Sequence, residues 1–213
     1  TATTRPTTPK TRAPTATPLG SHTTTQCACL TAHVLAELYT TQVAGLKSTQ
    51  IAAITTTQLG GMTSTQVGSL STTLIAGLTS TDIGALTTTQ LSGMTSTQIG
   101  AIGTTQAGGL TTTEIAALTT TQLGGMTATT LGALSTTQFG GFTTTELAAL
   151  NNTQIGGLKT SEIAAMTTTQ LGGLTSTELG VLTTTQVGGL TTTQLAALTT
   201  TQIDGLTSAQ LGA

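Results

Sequence analysis

The chain has 213 residues, 6% charged and 1% aromatic, with no Trp and a formal net charge of −2. An ordinary globular domain carries about a quarter of its residues as Asp, Glu, Lys and Arg, so this composition points to low complexity or a repeat array. Five Lys and Arg against seven Asp and Glu exclude the basic surface that nucleic-acid binding requires, and no run of about 18 apolar residues exists to span a membrane. The sequence starts on Thr1 without a signal peptide, which reads as a processed chain or a fragment.

Residues 1–22 hold four Pro, many Thr and three of the five basic residues. That is the composition of an extended Pro/Thr-rich linker. Next come His22, Cys27, Cys29 and His33, the one grouping of metal-ligand types. Its C-x-C spacing differs from the C-x₂₋₄-C of structural zinc sites. Core packing by small thiols is the first reading; an intermolecular disulfide and a weak metal site are the alternatives.

From Thr23 to Ala213 the chain is an unbroken series of eight-residue units, such as residues 111–118 (TTTEIAAL) and 119–126 (TTTQLGGM). Taking 23–30 as octad 1, there are 23 complete octads and a 24th one residue short. Within an octad, positions 5 and 8 are apolar, and position 4 is Gln, Glu or Asp in 21 of 24. The exceptions at position 4 are Val34, Leu74 and Thr130. A second period overlies the first. From octad 3 onward, odd octads carry Gly at position 7, while even ones carry Ala, Ser or Val. Asp82, Glu114, Glu146, Glu162 and Glu178 all stand in even octads. This alternation predicts a solenoid with two octads to each coil.

Threonine favours strands, but apolar residues recur here at +3 and +5, never at the +2 of a half-buried strand. A Thr at position 1 with Gln or Glu at position 4 is a capping box, and the apolar residues at position 8 and the next position 5 make its hydrophobic staple. The pairs Thr111 and Glu114, Thr143 and Glu146, and Thr175 and Glu178 are therefore expected as helix caps. The acids also complement the helix dipole and discourage aggregation. Leu123, Met126, Leu147, Leu150, Leu171 and Leu174 are expected in the core. The predicted fold is an all-α solenoid of very short capped helices over 23–213, with a β-solenoid of Thr ladders as the alternative. Gly at position 7 serves either a left-handed helix end or a close backbone approach.

No catalytic constellation is visible, since no His lies beyond residue 33 to act as a general base. The acids, spaced two or four octads apart, do not form the compact loop that calcium needs. Asn151-Asn152-Thr153 matches a glycosylation sequon, but Asn151 at position 1 is also a good cap. No cofactor is expected.

The units TTTQLAAL, TTTEIAAL and TSTQIGAI, with the pattern L-[ST]-x-x-[QE]-[LIV]-x-x-L, resemble the octad arrays of very large secreted or surface proteins of proteobacteria, often labelled haem-utilisation or adhesion proteins. The resemblance covers residues 23–213. It implies secretion and an extracellular scaffold role, and carries no catalytic residue across. The expectation is a non-enzymatic structural or adhesive protein at the cell surface or outside the cell, partnered by itself through uncapped ends or Thr faces. An ice-binding protein using a regular Thr face is the alternative.

Overall fold

A computed structural model describes residues 19–212. Each of the 24 octads contributes one α-helix, preceded by a 3-10 turn at Leu19–Ser21, and no strand occurs among the described residues. The β-solenoid alternative is thereby set aside. The helices have four to six residues, as in Thr112–Ile115, Thr88–Ser92 and Thr160–Ala165.

Local chemistry starts each helix. In octad 13, Thr119 is extended (φ −73°, ψ 155°). Its Oγ1 accepts from the Gln122 amide at 3.2 Å, and Gln122 Oε1 accepts from the Thr119 amide at 3.0 Å. Two of the orphan donors at the helix start are thus satisfied reciprocally. Tyr39, Lys47, Gly103 and Lys159 supply no side-chain cap, and only the return bond to position 4 remains there. At the other end the position 8 amide donates to the position 5 carbonyl, as from Met126 to Leu123 at 2.9 Å. Positions 4, 5 and 8 are buried through the interior of the array, while positions 1 and 3 face out.

Helices this short are not stable alone; stacking supplies what they lack. The helix of octad 6 packs on that of octad 9, octad 10 on 13 and octad 14 on 17, and this three-octad step recurs along the array. Glutamine at position 4 reaches one octad further. Gln122 Nε2 in octad 13 donates to the carbonyls of Leu91 and Met94 in octad 9, each at 2.8 Å. A superhelical turn therefore contains between three and four octads.

The expected coil of two octads is not the coil observed, because the neighbours in space lie three and four octads apart. The reason is parity. Three is odd, so contacts at this step join an even octad to an odd one, and an alternating sequence serves such contacts whatever the number of octads per turn. The two kinds of contact differ physically. A Cβ on Gly109 would lie 1.8 Å from the Ser80 carbonyl oxygen, and one on Gly125 would lie 2.0 Å from that of Ser96. Gly at position 7 of an odd octad thus admits the first helical residue of the octad three before it. In the opposite contact an even octad brings a side chain instead, as where Ser69 Oγ donates to the Thr40 carbonyl at 3.4 Å. The left-handed helix end does not occur: Gly61 and Gly93 have φ −78° and −77°.

The array also begins earlier than the sequence boundary at Thr23. Leu19 is buried in the common core, and Gln50 Nε2 donates to the carbonyls of Leu19 (2.9 Å) and His22 (2.7 Å). Leu19–His22 therefore behave as the second half of an octad. The rest of the expected linker, residues 1–18, lies outside the described residues.

Candidate functional site

The residues singled out as ligand types are dispersed. Cys27 occupies position 5 and is buried, and burial pushes its thiol pKa up. Cys29, two residues on, is exposed, as are His22 and His33. No group of three metal-ligand side chains converges among the described residues. Asn151 serves as a cap, its Oδ1 accepting from the Gln154 amide at 3.0 Å. Hollows on the surface are open grooves between octads, one of them lined by Met126, Thr127, Ala128, Asn151, Asn152 and Thr153.

The feature with the densest chemistry is position 4. Gln154 shows the full pattern: Oε1 accepts from the Asn151 amide at 3.0 Å, while Nε2 donates to Leu123 O at 2.9 Å and Met126 O at 2.8 Å. One side chain thus closes the start of its own helix and the carbonyl-rich end of another, four octads back. Its acceptor and both donors are used, as a buried amide requires. The bonds recur from Gln50 to Gln210. Sequence reasoning assigned only the capping half. The missed signal was amide content: a cap needs just an acceptor, which Glu supplies as well, yet Gln predominates.

Where position 4 departs from Gln, the stitch weakens. Thr130 Oγ1 still donates to Ile102 O at 3.2 Å, whereas Leu74 has nothing to offer. Glu114, Glu146 and Glu178 pair with Thr111, Thr143 and Thr175: the Thr hydroxyl oxygen accepts at 3.2 Å from the glutamate amide, and the carboxylate accepts from the Thr amide at 2.6 Å. All three are buried, which removes the aggregation-suppressing role expected of them. Leu123, Met126, Leu147, Leu150, Leu171 and Leu174 lie in one continuous core.

The outer surface is made of hydroxyls and methyls. Thr119, Thr121, Thr143 and Thr145 are exposed, and equivalent residues are exposed in every octad from 1 to 24. Successive octads point in different directions about the axis, so these residues are shared among three or four sides. At the far end the core opens. Leu195, Ile203 and Leu211, at position 5 of octads 22, 23 and 24, are 43%, 39% and 61% exposed, whereas Leu123 at the same position is fully buried. No helix of the described residues is long and apolar enough to cross a membrane.

A family model described as the ALTTAQ repeat matches four tandem stretches, residues 35–72, 75–112, 115–152 and 155–192. Successive matches begin five octads apart, so they keep the octad register. Residues 117–122 read ALTTTQ, one letter from the name. No curated protein matches the chain.

Proposed function

The chain belongs to the ALTTAQ repeat family, and on that premise we propose that it is a non-enzymatic structural or adhesive element that works outside the cell or on its surface. The observation that carries this reading is the uniformity of the stack: one core runs through it, and the glutamine stitch recurs from Gln50 to Gln210, always in the same direction along the axis. Its exterior presents residues of positions 1 and 3, mostly threonines, octad after octad, and a surface that repeats with so little variation suits association with copies of itself. Only Lys47 and Lys159 are basic in the array, which makes the rod a poor substrate for proteases that cut at Lys and Arg. The exposed threonines give it a quiet, uncharged exterior.

Sedimentation velocity over a concentration series, with negative-stain microscopy of the same samples, tests this. Filaments or concentration-dependent oligomers are expected, and Thr121→Lys with Thr145→Lys, which charges the exposed threonine surface of two adjacent octads, should weaken them. A monomer at every concentration and salt would remove the assembly reading. The ice-binding alternative is supported by the exposed Thr rows, though it needs a flat face and the threonines are divided round the axis. Thermal hysteresis at micromolar protein would move that reading to first place.

A further inference from the structure

Because each stitch steps back four octads, position 4 falls into four columns along the rod. The column through octads 4, 8, 12, 16, 20 and 24 reads Gln50, Asp82, Glu114, Glu146, Glu178 and Gln210. Glu162 stands in another column, between Thr130 and Gln194. Glu114, Glu146 and Glu162 are 3%, 4% and 1% exposed. In each, Oε2 accepts the amide of position 1, at 2.6, 2.6 and 2.7 Å. Oε1 of each is buried with no hydrogen-bond partner.

In a glutamine octad the second terminal atom is Nε2, and it meets two carbonyl oxygens four octads back. The register sets Glu114 against Ile83 and Leu86, Glu146 against Ile115 and Leu118, and Glu162 against Leu131 and Leu134. An ionised carboxylate offers only acceptors to such a place, so acceptor faces acceptor in a dry interior, an arrangement of high cost. A carboxylic acid instead has one O–H, and with it the donor that the site requires.

We propose that Glu162 stands as a neutral acid in the folded array, donating Oε1–H to a main-chain carbonyl four octads back, so that proton uptake completes the stitch there. One proton from solvent joins Oε1, and no other bond is made or broken. The surroundings favour it. The octads packed against Glu162, 15 and 21 by helix contact and 14 and 22 by the four-octad register, carry no charged residue. The one cation nearby is Lys159, in Glu162's own octad. Burial raises the Glu162 pKa, against the lowering effect of the Lys159 amide bond and the Lys159 charge.

The sign follows from linkage. A carboxyl neutral when folded and ionised when unfolded makes the folded chain bind more protons between the two pKa values. Stability therefore rises as pH falls from the raised folded value toward the ordinary carboxylate range, and levels off below it. Thermal unfolding of the full chain and of E162Q at about pH 7.5 and about pH 3.5 tests the proposal. E162Q should raise Tm by roughly 2–4 °C at the higher pH and by less than ~1 °C at the lower. The reciprocal Q122E should lower Tm at neutral pH and recover in acid. Equal gains at both pH values, no gain at neutral pH, or a Q122E loss that persists in acid would each overturn the proposal. So would a neutral-pH rise of the wild type on adding calcium chloride, which would assign the Glu162 oxygen to a cation instead.

Discussion

At the scale of the residue, position 1 and position 4 look like equal halves of one cap, but only position 4 acts at a distance. Thr119→Ala removes a cap acceptor and should cost about 1 kcal/mol. Gln122→Leu removes the return bond and also strips the carbonyls of Leu91 and Met94 of a donor, and should cost about 2–4 kcal/mol. Urea denaturation of both variants checks the order: equal costs would mean that Gln122 is a cap alone. The capping pairs were legible because their two members stand three positions apart and have a known grammar. The second function of Gln was not, since its partners lie four octads away and are main-chain atoms, which leave no mark on residue identity.

At the scale of the element, the glycines separate into two populations that a sequence presents as one. A methyl group added at Gly109 has no room beside the Ser80 carbonyl, whereas one added at Gly172 meets nothing within 4 Å. Gly109→Ala should therefore destabilise by about 1–3 kcal/mol through forced backbone displacement. Gly172→Ala, at the end of helix Thr168–Gly172, should stabilise by about 0.5–1 kcal/mol through helix propensity and a less flexible unfolded chain. Thermal melts of the pair would show opposite signs. Helix existence and register were readable from the period of eight, and the even–odd alternation was readable too. Its meaning was not. A two-octad pattern is equally compatible with any odd contact step, and nothing local to an octad distinguishes a step of one from a step of three.

For the whole molecule, parity makes a prediction that length alone would reverse. Deleting residues 111–118 brings octads of like parity together across the junction, setting Ala133 where the Ser96 carbonyl now meets Gly125. Deleting residues 111–126 restores even against odd. The longer deletion should leave the more stable protein by thermal unfolding, although stacked arrays ordinarily lose stability as repeats are removed. The stitch that links an octad to the fourth before it has one more consequence, for how the rod starts. It repeats, one level up, the hydrogen-bond rule of the α-helix, with an octad in place of a residue and a glutamine amide in place of a backbone N–H. A chain under such a rule must fix four units before its first long-range bond, then gains a stitch with each unit added. Formation should accordingly show a costly nucleus and easy propagation, so that helicity in a series of fragments of increasing length is absent below about five octads and rises steeply beyond.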